Sequence, residues 1–213
     1  MQTKTKFYSN GKVSEVYTVD DKGQKNGEFQ SYYDDGQLNE KWTYKDGKKD
    51  GPYELYYSNG HLRKKCTFKD DQLDGPYELY YGYGNRQLDT KCTFKDGEYD
   101  GLYEEYYVNG QLKKKCTFKD GKEDGLSEAY YNNGQLKERC TYKDGKLDGA
   151  YERYEENGEL VKKGAYVNGK FVQEKKGLFG LKAKLAAAQT KTEPAKQSLI
   201  GKCFKMFRRD SGR

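Results

Sequence analysis

The chain has 213 residues, of which 33% are apolar and 35% are charged. This composition is too polar for the single deep core of a globular domain, yet 22 tyrosines are too many for a disordered chain. No apolar run is long enough for a signal peptide near the start or for a membrane-spanning helix elsewhere. We therefore expect a thin, tyrosine-rich fold in the cytoplasm, where the five cysteines stay reduced.

A sequence repeat accounts for most of the chain, and repeats of this length indicate a stacked array of small units. Full units begin at Gly27, Gly51, Gly75, Gly101, Gly125 and Gly149, after a half-unit at residues 7–26. The step is 24 residues, except that the unit from Gly75 has 26 residues, with the two extra ones within Gly82–Arg86. We expect residues 1–171 to form the array and residues 172–213 to form a separate tail.

Each unit predicts one β-hairpin. In the Gly51 unit, Tyr53–Tyr57 has the aromatic content of a strand, and Leu62–Lys69 alternates in the manner of a second strand. Asn59-Gly60 between them predicts a type I′ turn, because these residues tolerate the positive φ that this turn requires. A second turn, KDGKxDG, leads into the next unit. The predicted fold is all-β, a single-layer stack of about six 24-residue β-hairpin repeats.

Three columns of equivalent residues keep their character from unit to unit, and we expect them to form the apolar spine of the array. They are Leu38, Leu62, Leu88, Leu112, Leu136 and Leu160; Tyr44, Phe68, Phe94, Phe118, Tyr142 and Tyr166; and Tyr32, Tyr56, Tyr80, Tyr106, Tyr130 and Tyr154. The column of Ser31, Leu55, Leu79, Glu105, Ala129 and Arg153 varies in chemistry, and we expect it to face water.

The residues that could carry chemistry fit structural roles better. Cys66, Cys92, Cys116 and Cys140 share one column without a CxxC pair, which favours small buried side chains over a zinc site. The turn aspartates are too sparse for a calcium loop, and the evenly spaced Glu54 column predicts a charge ladder with lysines of the next strand. His61 is the single histidine. We expect no enzyme activity, no metal, no cofactor and no small-molecule substrate.

Tyrosines on one face of the sheet are the predicted binding residues. Tyr57 follows the predicted spine residue Tyr56, so it should point to the opposite face, which also carries the Tyr53 column. Tyrosine is enriched where proteins bind proteins. The predicted partner-binding residues are Tyr33, Tyr53, Tyr57, Tyr77, Tyr81, Tyr103, Tyr107 and Tyr131. The alternative is that both faces merely cover the backbone of the stack.

The tail from residue 172 is strongly basic, with 11 Lys or Arg against 3 Asp or Glu, a net charge of +8 in a chain of +6. The segment after Pro194 predicts a short amphipathic helix. Its predicted anchor residues are Leu199, Ile200, Lys202, Phe204, Lys205, Phe207, Arg208 and Arg209. Three roles fit such a helix: covering an open end of the sheet, lying on an anionic membrane, or binding another protein or a nucleic acid.

The pattern DGxYExYYxNGQLKxKxTYKDGKxDG resembles the MORN-repeat-variant family from Phe7 to about Gly169. Some bacterial members are antitoxins, and related eukaryotic proteins are mostly scaffolds, some of them at membranes. The resemblance implies stacked hairpins that bind rather than catalyse. We expect a non-enzymatic protein-interaction module or scaffold, antitoxin-like, that binds a partner protein through its tyrosine face. The alternative is a peripheral membrane scaffold anchored by the tail. A nucleic acid is the less favoured partner.

Overall fold

The computed structural model describes residues 1–82 and 86–173, which form one antiparallel sheet of 17 strands. The strands are β1 (Gln2–Phe7), β2 (Val13–Val19), β3 (Lys25–Tyr32), β4 (Leu38–Lys45), β5 (Lys48–Tyr56), β6 (Leu62–Lys69), β7 (Gln72–Tyr80), β8 (Leu88–Lys95), β9 (Glu98–Tyr99), β10 (Gly101–Tyr106), β11 (Leu112–Lys119), β12 (Lys122–Glu123), β13 (Gly125–Tyr130), β14 (Leu136–Lys143), β15 (Lys146–Tyr154), β16 (Leu160–Val167) and β17 (Lys170–Gln173). The described residues contain no helix. The predicted all-β stack of hairpins is confirmed, and the predicted helical tail lies outside the described residues.

Consecutive strands pair as hairpins, so the sheet grows along the chain. β1 pairs with β2, and the first hairpin therefore begins at Gln2, ahead of the half-unit predicted at residues 7–26. β9 and β10 both pair with β8 and form one strand position interrupted at Asp100. β12 and β13 pair in the same way with β11, on either side of Asp124. The two-residue insertion of the Gly75 unit lies in the loop between β7 and β8.

Two kinds of turn alternate along the sheet, and the sequence prediction of a type I′ turn at Asn59-Gly60 was wrong. Gly60 N–H donates to the Tyr57 carbonyl over 2.8 Å, and only Gly60 has a positive φ. Asn therefore occupies the third position of a type I turn and Gly the bulge that follows it. The type I′ geometry occurs in the second turn, where φ is +49° at Asp46 and +81° at Gly47.

The sheet has two chemically different faces. Tyr53 lies directly opposite Cys66, and Glu54 lies opposite Lys65 on the other side. We call the side with the Tyr53 and Cys66 columns the aromatic face, and the side with the Glu54 and Lys65 columns the charged face. The aromatic face holds most of the buried apolar residues, which are Val19, Phe29, Trp42, Tyr53, Cys66, Cys92, Cys116, Cys140 and Tyr151.

The structure corrects one of the three predicted spine columns and also the column that was predicted to face water. Phe68 packs against the buried cluster, as predicted. Tyr56, in contrast, is paired with Leu62 at a β-bulge and donates its hydroxyl to Glu54 on the charged face. The column expected to face water lies on the aromatic face instead, where Leu55 packs against the cluster and Ser31 is buried. The tyrosine of the Tyr56 column is therefore identical in every unit because of its hydrogen bond to glutamate as much as because of its burial.

The cysteine column is buried and unpaired in the described units, as predicted for small core side chains. In the last hairpin, Gly164 replaces the cysteine. A Cβ at Gly164 would clash with the backbone carbonyl oxygen of Val172 and would lie 2.6 Å from the ring of Phe171 on β17. The ring of Phe171 thus fills the space of the missing thiol, and it also contacts the rings of Tyr151 and Tyr166. This packing closes the last described hairpin of the array.

We predict that Gly164→Cys destabilises the protein, although it restores the residue that four other units carry. The added side chain must displace Phe171, and overpacking of this kind costs about 1–3 kcal/mol. Urea unfolding followed by circular dichroism measures the change. In a Phe171→Ala background, the same substitution should cost less but should stay destabilising, because the Val172 carbonyl oxygen still meets the added Cβ. Equal costs in both backgrounds would show that the ring does not occupy this space.

Candidate functional site

Aromatic rings form a nearly continuous row along the aromatic face. Phe29, Trp42 and Tyr53 stack across three successive strand positions, with ring centroids 4.0 Å and 5.6 Å apart. Tyr53 then meets the edge of Phe68 at 5.6 Å. A second run joins Tyr77, Phe94, Tyr99, Tyr103 and Phe118. No other layer of the described residues covers this row.

The row is interrupted in the Gly125 unit, where polar residues replace rings. Ser127 occupies the position of Tyr53 and is buried. Glu123 occupies the position held by Leu73, Tyr99 or Leu147 in other units, and it forms an ion pair with Lys114. Within the described residues, ring contacts resume only at Tyr151. The aromatic face therefore consists of separate ring clusters with a polar gap between them.

Lysine ammonium groups lie against the rings at both ends of the row. Lys49 Nζ is 4.3 Å from the centroid of Trp42 and 5.4 Å from that of Tyr53. Lys25 Nζ is 4.7 Å from the centroid of Phe29, and Lys162 Nζ is 3.8 Å from that of Phe171. These distances are typical of cation–π interactions. The ends of the aromatic face are thus both aromatic and positively charged.

One buried polar group on this face has no partner. The indole Nε1 of Trp42 has no hydrogen-bond partner among residues 1–82 and 86–173, although the residue is only 8% exposed. A buried donor without an acceptor costs about 1–3 kcal/mol. No residue pattern in the sequence points to this group, because it depends on how the indole lies between Phe29 and Tyr53.

The predicted partner-binding tyrosines do not share one free face. Tyr33, Tyr57, Tyr81, Tyr107 and Tyr131 lie at the hairpin ends, and each hydroxyl donates to a backbone carbonyl of the next unit at 2.7–2.9 Å. Tyr53, Tyr77 and Tyr103 belong to the aromatic face, where Tyr53 is buried and the other two are half-buried. The hydroxyls of the hairpin-end tyrosines are therefore engaged in contacts between neighbouring units. Whether these residues bind a partner remains a prediction.

The charged face carries the predicted ladder of ion pairs. Glu104 pairs with Lys115 at 3.0 Å, and Glu128 pairs with Arg139 at 2.9 Å. Tyr106 and Tyr130 donate to the same two carboxylates at 2.9 Å. Burial, followed by this hydrogen bond, raises the pKa of both tyrosines to about 12. Each of these carboxylates therefore links the two strands of one hairpin and holds a tyrosine of its own strand.

The thiols and acids show no arrangement for reaction or metal binding. Burial raises the pKa of Cys92 and Cys116 to about 12, so both are protonated at neutral pH and poor nucleophiles. Across residues 1–82 and 86–173, no three His, Cys, Asp or Glu side chains converge on a point where a metal ion could bind. In the same ranges, no helix is long and apolar enough to cross a bilayer.

The tail residues predicted as anchors lie outside the described residues. They are Leu199, Ile200, Lys202, Phe204, Lys205, Phe207, Arg208 and Arg209. Their role stays a prediction from sequence.

Comparison with protein families gives one match. The family described as the MORN repeat variant matches residues 25–46, 49–70, 99–120, 123–144 and 147–168, which together exceed half of the chain. Each matched segment contains one complete hairpin of the sheet. The Gly75 unit, which carries the two-residue insertion, is not among the matched segments.

Other comparisons add little. No curated protein matches the chain. Among solved structures, alternansucrase in complex with isomaltononaose matches at 14% identity and a TM-score of 0.22. That match covers 80% of this chain, whereas this chain spans only 16% of the alternansucrase chain. A similarity of this degree has no bearing on function.

We predict that Tyr107→Phe weakens the contact between neighbouring units. It removes the hydroxyl that donates to the Tyr130 carbonyl at 2.8 Å, and a hydrogen bond of this kind contributes about 0.5–1.5 kcal/mol. Tyr44→Phe is the matched control, since Phe occupies the equivalent position in three other units. Urea unfolding should show a lower free energy of unfolding for Tyr107→Phe and no such change for Tyr44→Phe. Equal effects would contradict a specific role for the Tyr107 hydroxyl.

We predict that the sheet unfolds between about pH 10 and pH 12. Burial raises the pKa of Tyr80, Tyr106 and Tyr130 to about 12, above the usual value of about 10. Stabilisation from a raised pKa is complete below pH 10 and is lost as the pH rises towards 12. Tyrosinate absorbance at 295 nm should rise steeply and together with the loss of β-sheet circular dichroism. If the tyrosines instead ionise near pH 10 while the β-sheet circular dichroism is unchanged, the prediction is wrong.

Proposed function

Because the chain belongs to the MORN repeat variant family, whose repeats are commonly protein- or membrane-interaction modules, we propose that it is a protein-interaction module. Its binding surface is the aromatic face. An antitoxin-like role or a scaffold role is a narrower form of the same proposal. The four unpaired cysteines suit a reducing compartment, and we propose a cytoplasmic location.

The observation that supports this proposal is the open aromatic face. Half-buried rings such as Tyr77, Tyr99 and Tyr103 follow one another along a sheet that has no second layer in the described residues. Aromatic residues are enriched in protein interfaces because they bury a large area at a low cost in side-chain entropy. On the charged face, the acidic side chains are already engaged in ion pairs and Tyr–Glu hydrogen bonds. The aromatic face therefore has more binding capacity left.

We also propose that the protein is not an enzyme. The protonated thiols, the ladder of paired glutamates and the single histidine provide no nucleophile with an adjacent base. Binding needs none of these groups.

Photo-crosslinking at adjacent residues tests which face binds. Tyr103 lies on the aromatic face opposite Cys116, and Leu102 lies on the charged face opposite Thr117. A photoreactive phenylalanine at position 103 should crosslink to a discrete protein in the cell, and the same group at position 102 should not. Tyr103→Glu should abolish retention of that protein by the purified chain, whereas Leu102→Glu should leave it intact. Crosslinks from position 102 alone would contradict the proposal.

The second candidate is a membrane-associated scaffold anchored by the tail. The net charge of +8 after residue 171 favours it, since basic amphipathic segments bind anionic lipid surfaces. Vesicles that contain phosphatidylserine should sediment the full chain but not a chain that ends at Phe171. Equal sedimentation of both chains would contradict anchoring by the tail.

A further inference from the structure

Three lysines on the aromatic face of the first units form a feature that the general proposal does not explain. Lys25, Lys49 and Lys64 lie on β3, β5 and β6, and we call them the lysine strip. Their Nζ atoms lie 4.7 Å from the centroid of Phe29, 4.3 Å from that of Trp42 and 4.6 Å from that of Tyr53. All three side chains are half-buried.

The strip carries positive charge that the described residues do not neutralise. Within residues 1–82 and 86–173, none of its three ammonium groups forms an ion pair. The two carboxylates on this part of the face have other partners: Glu40 accepts a hydrogen bond from Tyr53, and Glu15 pairs with Lys6. Cation–π contacts hold an ammonium group in place, but they leave its charge available to an anion.

The unpartnered indole of Trp42 lies in the same cluster. Its Nε1–H has no acceptor, and Phe29, Tyr53 and Phe68 around it offer ring surfaces rather than carboxylates. Three unpaired ammonium groups and one unsatisfied N–H donor thus occur together. The three ammonium groups are the donors that a ligand can reach, so the ligand must supply acceptors and negative charge.

We propose that the lysine strip binds an acidic, extended segment of a partner protein. The proposal rests on the protein-interaction function above and specifies where on the aromatic face the partner is recognised. Carboxylates of the segment pair with the ammonium groups of Lys25, Lys49 and Lys64, and Trp42 lies beneath the bound segment. Charge-assisted hydrogen bonds are the strong class of such contacts, and they fix the register of the bound segment.

The strand spacing sets the spacing of the acidic residues. Lys25 and Lys49 occupy equivalent positions in successive units, two strands apart, which corresponds to about 10 Å across the sheet. An extended peptide advances about 3.3 Å per residue, so carboxylates three residues apart match this distance. Lys25 and Lys49 therefore select two carboxylates three residues apart on a segment that lies across the strands. Lys64 lies opposite Leu55, further along the strands, and contacts a third carboxylate outside this line.

Geometry favours a polypeptide over the other polyanions. Phe29, Trp42 and Tyr53 stack on one another, with interplanar angles of 17° and 26°, so their faces are not free to stack nucleobases. The same rings are at most 8% exposed and cannot insert into a lipid surface. A carboxylate needs only the half-exposed ammonium groups, which are accessible.

The fluorescence of Trp42, the only tryptophan of the chain, reports directly on this site. The test titrates the full chain with a twelve-residue peptide that has Glu at every third position and small neutral residues between. The comparison ligands are a peptide of the same composition with its Glu residues clustered, a peptide with Gln in place of Glu, a single-stranded DNA dodecamer and phosphatidylserine vesicles. The periodic peptide should bind tightest and change the Trp42 emission.

Two triple variants with the same change in charge locate the binding. Lys25→Gln, Lys49→Gln and Lys64→Gln together should weaken binding of the periodic peptide at least tenfold. Lys45→Gln, Lys65→Gln and Lys69→Gln together, three exposed lysines on strands β4 and β6 that point away from the aromatic face, should change it less than threefold. Lys→Arg at the three strip positions should retain binding. Circular dichroism verifies that every variant is folded.

Several results would overturn the proposal. Equal losses in the two Gln triples, tighter binding of the DNA or the vesicles, or equal binding of the clustered and periodic peptides would each do so. If the strip variant still crosslinks at position 103 to the same cellular protein, that result refutes the role of the lysine strip and leaves the protein-interaction function intact. If the photoreactive group at position 103 captures no protein even when the three strip lysines are intact, the broader protein-interaction function is refuted instead.

Discussion

Four of the described hairpins contain a cross-strand pair in which an aromatic ring lies opposite a small residue, as Tyr53 lies opposite Cys66. A single-layer sheet has no second layer to bury its side chains, so burial must come from neighbours on adjacent strands. The small thiol leaves room for rings on both sides to lie over it, which is why Cys66 is only 2% exposed. The last described hairpin follows the same constraint. Gly164 replaces the cysteine there, and the ring of Phe171 fills the space that the thiol would occupy.

Much of the fold was predictable because its signals are local and repeated. Asp46-Gly47 and Tyr57-Ser58-Asn59-Gly60 mark the turns, and the alternation around Cys66 marks a strand. The faces were harder to assign. Tyr56 lies on the charged face with Glu54, two residues before it, and a β-bulge on β6 leaves Arg63 unpaired, so that Tyr56 lies opposite Leu62. A one-residue shift reverses the side on which a residue lies, and no residue type in the sequence announces it.

The binding surface was predictable only in part. Its tyrosine content was visible, but the distinction between Tyr53 in the cluster and Tyr57 at the hairpin end requires knowledge of the hydrogen bond from Tyr57 to the next unit. The lysine strip was not visible either. Lys25, Lys49 and Lys64 occur among many lysines of the repeat. Their contacts with rings set them apart, as does the absence of an ion pair at their ammonium groups within the described residues.

The polar gap in the Gly125 unit bears on how the array comes apart. In a linear array, each unit is held mainly by the units on either side, so the weakest junction determines where the array opens. At Ser127 the array has a hydroxyl where other units have a ring, and at Glu123 it has an ion pair whose desolvation offsets much of its attraction. We therefore expect the sheet to open first at the strand position of β12 and β13, between β11 and β14. Opening there would leave a long block of hairpins before this position and a short one after it.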